Sequence, residues 1–136
     1  MSTTSLQRAR MQYLEQQVAS ASPERLVTLL FDRLLVDVDR AIAAQDNGDA
    51  RAAGDHLLHA QQIVTELNAS LTDAWDGSDD LRALYTYLHG RLVVANVARD
   101  VTVTAECRAI VAPLRDAWHG AAEAVATAPA AVRAVG

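Results

Sequence analysis

The chain has 136 residues, a length typical of one domain, and 51% of them are hydrophobic, which is enough to form a core. Its single cysteine excludes an internal disulfide, and its net charge of −5 argues against a broad surface for nucleic acid or anionic lipid. All 12 basic residues are arginine, and without lysine the chain supports neither Schiff-base chemistry nor a Walker-type phosphate loop. With no signal-peptide pattern and no apolar run long enough for a bilayer, we expect a cytoplasmic protein without direct membrane insertion.

Residues 1–21 form a weakly amphipathic stretch in which apolar side chains are separated by Gln, Arg and Glu. A segment this short does not hold a helix by itself. We therefore predict an N-terminal arm that either docks on the rest of the chain or is mobile.

Two helices are predicted next, over about 23–45 and 49–72. Ser22 can cap the first, and Pro23 suits its first helical position. Apolar residues then recur at spacings of three or four along both segments, as on one face of a helix. The turn at Gly48 separates them.

Two more helices are predicted over about 78–100 and 103–118. The β-branched run Val101–Thr104 weakens helix preference, so a tight bend is expected there. Pro113 should kink or split the last helix. The Ala-rich tail, 119–136, is expected to be frayed or disordered.

Four helices joined by short turns predict an all-α fold, an antiparallel up-down four-helix bundle spanning residues 22–118. The spacing of three and four favours shallow crossings near 20°.

Catalytic and metal sites are weakly supported. His56 and His59 lie three residues apart, but a metal site needs further ligands, and a di-iron bundle would show Glu-x-x-His on two helices. Cys107 falls on the apolar stripe of the last helix and is expected in the core. We therefore predict no catalytic residues, no metal, no cofactor and no enzyme activity.

A histidine phosphotransfer protein is the alternative interpretation, because that class is also a small acidic four-helix bundle. It would use an exposed histidine such as His56, His59 or His89. Bulky leucines adjoin the first two, and no lysine is present to steady a phosphoryl group.

Each long helix carries more apolar residues than one buried stripe needs. Leu26, Leu58 and Val97 are among those off the main faces. Together they indicate grooves that could take an amphipathic helix from a partner.

Four ordered segments resemble the FliS family of flagellin-specific export chaperones. These are Tyr13 with Ser22–Asp32, then Ala60–Leu67, Leu84–Asp100 and Leu114–Trp118. The resemblance implies a cytoplasmic, non-enzymatic bundle that binds the disordered C-terminal region of flagellin and prevents its premature polymerisation. It also implies delivery of the client to the membrane-embedded export gate of the flagellar type III system. Whether the chain forms a homodimer is left open.

The resemblance also carries candidate residues. The flagellin-binding candidates, in core or groove, are Leu26, Leu30, Phe31, Leu34, Ile63, Leu67, Leu84, Tyr85, Leu88 and Leu92. The arm that docks on the gate or covers the groove carries Leu6, Tyr13, Leu14 and Val18. Arg33 stands where the family usually has glycine.

Overall fold

The structure of the chain, a computed structural model, describes residues 5–11, 23–73 and 76–127. Within these ranges it is all-α, as the sequence predicted. A short helix, α1, spans 5–11, and the four long helices are α2 (Pro23–Asp46), α3 (Ala50–Ala69), α4 (Ser78–Val97) and α5 (Val101–Thr127). Each long helix packs against the next, and α5 packs against α2, so the four close into a bundle with antiparallel neighbours.

Two tight turns connect helices at one end of the bundle. In the first, Gly48 has a φ of 72°, and the Asp49 carboxylate accepts a hydrogen bond of 3.1 Å from the backbone N–H of Ala52. In the second, Arg99 has a φ of 53°, and the Asp100 carboxylate accepts from the N–H of Thr102 at 2.9 Å. Both turns thus use one left-handed residue followed by an aspartate that caps the next helix.

The second turn lies before the β-branched run, not within it. α4 ends three residues earlier than predicted, and α5 begins at Val101 instead of residue 103. A β-branched residue in a helix costs less than about 1 kcal/mol, whereas a good N-cap stabilises the helix by about 1 kcal/mol. The cap at Asp100 therefore decides where α5 begins.

α5 continues beyond its predicted end at Trp118 and reaches Thr127, because the alanines that follow are strong helix formers. Pro113 lies inside this helix without splitting it. Residues 110–118 pack Ile110, Val111 and Leu114 against the core, which offsets the lost backbone donor. The remainder of the predicted tail, 128–136, lies outside the described residues.

The core is aliphatic at one end and aromatic at the other. Leu34, Leu57 and Leu92 are fully buried along its length. Near the start of α2, the Phe31 ring stacks on Trp118 at a centroid distance of 6.2 Å and tilts against Tyr85 at 6.4 Å. Aromatic pairs of this kind add to the free energy of burial, so this cluster fixes where α5 lies against α2 and α4.

Candidate functional site

The structure divides the predicted flagellin-binding residues into two groups. Seven of the ten are buried in the core, and a fully buried side chain cannot contact a partner while the bundle stays closed. These seven are Phe31, Leu34, Ile63, Leu67, Tyr85, Leu88 and Leu92. They are therefore assigned to the core, because they occupy the periodic stripe on which the helices pack.

The other three predicted residues keep accessible surface. Leu26 is 37% exposed, and Leu30 and Leu84 are partly buried against the core. Leu26 and Leu30 share the face of α2 that turns toward α3, one helical turn apart. They are the part of the predicted set that a partner could reach.

The predicted arm residues fall mainly outside the described part of the chain. Tyr13, Leu14 and Val18 lie in residues 12–22, which the structure does not describe. Leu6 lies on α1 and is 58% exposed.

A groove on the outer side of the α3/α4 pair holds apolar residues outside that predicted set. We define the α3/α4 groove by Leu58, Thr65, Asn68, Thr86, His89 and Val97. Leu58 is 51% exposed and Val97 is 79% exposed. The side chain of Asn96 from α4 packs against α3 at Gly54, where a methyl group would lie 3.3 Å from Asn96 Oδ1. Leu58 follows Gly54 by one helical turn and therefore lies on the same face of α3.

A cavity of about 250 Å³ opens further along the same groove. Asn68 Oδ1 is buried there and has no hydrogen-bond partner. Tyr85 forms part of the wall, and burial raises the pKa of its hydroxyl to about 12, so the ring is neutral. The remaining lining residues are Val64, Thr65, Thr86 and His89. An unpaired buried acceptor in a cavity suits a ligand that brings an N–H donor.

Charged pairs cross the seam between α2 and α5. Arg115 Nε lies 2.8 Å from Asp32 Oδ1, His119 Nε2 lies 2.7 Å from the same oxygen, and Arg108 Nε lies 2.6 Å from Asp39 Oδ1. Partial burial raises the pKa of Asp32, but the hydrogen bonds and charges of His119 and Arg115 outweigh it and lower that pKa overall.

The seam between α4 and α5 is bridged in the same way. Tyr87 donates to Glu106 Oε1 at 3.0 Å, and Arg91 Nη2 donates to Glu106 Oε2 at 2.8 Å. These two hydrogen bonds lower the pKa of Glu106. Among the described residues, by contrast, no ion pair joins α3 to α4.

The seam between α2 and α3 contains a buried carboxylate. Asp37 is fully buried, its Oδ2 is hydrogen-bonded to His59 Nδ1, and its Oδ1 lies 3.7 Å from His56 Nδ1. We call Arg33, Asp37, His56 and His59 the Asp37 cluster. Asp37 is not among the residues predicted from the sequence, although a signal is present there: it lies between Leu34 and Ala41, at spacings of three and four that match the core stripe.

The geometry gives little support for catalysis or metal binding. In the described ranges, no group of three or more His, Cys, Asp or Glu side chains is placed to hold a metal ion. Cys107 is buried, and burial raises the pKa of its thiol to about 11, so the reactive thiolate is disfavoured. No helix in the described part of the chain is both long and apolar enough to cross a membrane.

Comparison with known proteins agrees with the resemblance seen in the sequence. The family model described as flagellar protein FliS matches residues 6–125. The chain is 34% identical to the flagellar secretion chaperone FliS of Bacillus subtilis (strain 168) over 109 residues, which is 80% of this chain and 82% of that protein. It is also 34% identical to the flagellar secretion chaperone FliS of Escherichia coli (strain K12) over 110 residues, covering 77% and 79% of the two chains.

Proposed function

The chain belongs to the FliS family of flagellar secretion chaperones, and from that premise we propose that it binds the disordered C-terminal region of flagellin in the cytoplasm. The observation that carries the proposal is the family match, which runs through all four long helices. Binding would prevent premature polymerisation of the client without any enzymatic step. Membership of this family also favours the chaperone interpretation over histidine phosphotransfer.

The α3/α4 groove is the surface on which we expect the client to dock. Leu58 and Val97 offer apolar area to a partner's apolar side chains. Asn68 Oδ1 offers an acceptor to a backbone or side-chain N–H of the client. Because no ion pair crosses this seam among the described residues, a client segment would not have to break one in order to dock.

The energetics of a disordered client favour such a surface. Folding on binding costs the client conformational entropy, and burial of apolar area has to offset that cost. The Leu26 and Leu30 face of α2 would extend the apolar contact onto a second seam. A client that wraps the bundle would use both.

Hand-off to the export gate completes the proposed role. By the family resemblance, the arm that carries Leu6, Tyr13, Leu14 and Val18 would cover the groove or dock on the cytoplasmic domain of the gate protein. A homodimer remains open within this proposal.

The direct test is calorimetric titration with a peptide of the last ~40 residues of the same organism's flagellin, a length that can bury apolar area while it folds. Helicity is followed by circular dichroism in parallel. We expect saturable binding, a negative heat-capacity change and a gain in helicity. Leu58→Asp and Val97→Asp should each weaken binding by roughly tenfold or more, since each brings a charge into an apolar contact.

Val36→Asp is the control for Val97→Asp. Val36 is also an exposed valine, but it lies on α2, outside the α3/α4 groove. It should leave the affinity near that of the wild type. Absence of binding to the wild type would contradict the proposed function, and equal losses for both valines would contradict only the assignment of the groove.

A further inference from the structure

Asp37 is the only charged side chain that is fully buried among the described residues. Of its two carboxylate oxygens, Oδ2 is hydrogen-bonded and Oδ1 has no hydrogen-bond partner. An ionised carboxylate out of water is costly in free energy unless a charge of opposite sign lies beside it.

Three side chains that can carry positive charge surround this carboxylate. His59 and His56 reach it from α3, both through Nδ1, and Arg33 Nε lies 3.5 Å from Oδ1 from the preceding turn of α2. Arg33 is half-exposed, and its contact exceeds a normal hydrogen-bond length, so it compensates the carboxylate only in part. The two histidines are the other groups in contact with it that can carry positive charge, and histidine charge depends on pH.

Within the described ranges, α4 and α5 supply no further charge contact to Asp37. From α5, Arg108 and Arg115 reach the opposite side of α2, where they pair with Asp39 and Asp32. The buried residues of α4, such as Leu88, carry no charge. Compensation thus comes across the α2/α3 seam.

We propose that Asp37, His56 and His59 form a proton-dependent clamp between α2 and α3. With a proton on the cluster, the carboxylate and the imidazoles attract each other across the seam. Without it, Asp37 is a buried negative charge that faces two neutral rings. This clamp does not rest on the proposed chaperone function.

The sign of the pH dependence does not depend on which atom holds the proton. An imidazolium beside a carboxylate and a neutral imidazole beside a carboxylic acid contain the same number of protons. In the folded chain the state without that proton leaves a carboxylate buried away from water, whereas in the unfolded chain water solvates it. The clamp therefore stabilises the fold on the acidic side of the histidine range, and its contribution is lost as the pH rises through that range.

The test is urea unfolding of the full chain at about pH 6 and about pH 8, on either side of the usual histidine range. For the wild type, we expect the folding equilibrium constant to fall on the order of tenfold between the two, the effect of about one linked proton. His56→Gln/His59→Gln should lose most of that pH dependence. Any contribution of His119 beside Asp32 is common to both proteins and cancels in the comparison.

Two further variants decide the assignment. His89→Gln is the matched control, because His89 lies in the α3/α4 groove away from Asp37, and it should keep the wild-type pH dependence. Asp37→Asn retains the size of the side chain and removes its charge, and should also flatten the pH dependence. The clamp is overturned if the double histidine variant keeps the wild-type slope, if His89→Gln removes as much of it, or if folded Asp37→Asn leaves it intact.

Discussion

The α2/α5 seam and the α3/α4 seam both join antiparallel helices of one bundle, yet their outer edges differ in chemistry. Across the first, Asp32 and Asp39 are paired with basic side chains from α5 at 2.6–2.8 Å. Along the second, Leu58 and Val97 are exposed, and Asn68 Oδ1 is buried without a partner. The two carboxylates at the first edge have partners within the chain, whereas the second edge keeps apolar area and an acceptor available.

That difference shows why stability and docking can be separated in this fold. Exposed ion pairs contribute little to the free energy of folding, typically below about 1 kcal/mol each. Both seams are held mainly by the buried stripes beneath them. Leaving an edge without ion pairs therefore costs little free energy of folding. Such an edge can remain open to a partner.

The largest expected effect tests the boundary between that buried stripe and the open edge. Leu88→Ala should lower the free energy of unfolding by about 2–5 kcal/mol, because Leu88 is fully buried. Leu58→Ala, on the exposed edge, should cost less than about 1 kcal/mol. Urea unfolding of both variants measures the contrast. A small cost for Leu88→Ala together with lost client binding would return Leu88 to the groove.

The unpaired acceptor of the open edge offers a test in the opposite direction. Asn68→Leu removes a buried oxygen without a partner and fills part of the cavity, so it should raise the free energy of unfolding by about 1 kcal/mol. The same change should weaken client binding. Urea unfolding and calorimetry measure the two effects.

Asn68→Ala separates the two causes of the expected gain in stability. It also removes the acceptor and favours the helix, but it leaves the cavity unfilled. A gain for leucine above alanine would come from filling the cavity. Loss of stability in both variants would mean that Asn68 Oδ1 is satisfied in solution, and the contrast between the seams would weaken.

How much of this contrast the sequence could predict depends on the kind of feature. Helix periodicity located the stripe of α3, because Leu57, Ala60 and Val64 recur at spacings of three and four and are buried. The same periodicity could not tell core from groove, since a stripe is buried or open according to what packs on it. The accessible residues are instead apolar side chains off the stripe, such as Leu58.

The turns show the same limit at a local level. Gly48 was predictable, because glycine adopts a positive φ readily and follows asparagine. Arg99 takes a similar conformation without any signal in its residue type. The cap on Thr102 by Asp100 is local, and aspartate is a common N-cap residue, so the start of α5 had a signal in the sequence that the φ of Arg99 lacked.

The smallest effect concerns the paired edge. Asp32→Asn removes the carboxylate shared by Arg115 and His119, and should lower the free energy of unfolding at neutral pH by less than about 1 kcal/mol, since the group is more than a third exposed. The pKa of Asp32 is below its ordinary value of 3.8 in the folded protein. The contribution of the pair is therefore present above that ordinary value and is lost as the pH falls through the lower, folded value.

Wild type and Asp32→Asn should accordingly differ at neutral pH, converge as the medium is acidified below 3.8, and converge also in about 1 M salt, which screens exposed charges. Urea unfolding of both proteins as a function of pH, with and without salt, measures the convergence in acid and the convergence in salt. A difference that survives acid and salt would mean that Asp32 acts through packing. The α2/α5 edge would then be stabilised by side-chain packing, like the buried stripes. Ion pairs would no longer distinguish it from the α3/α4 edge.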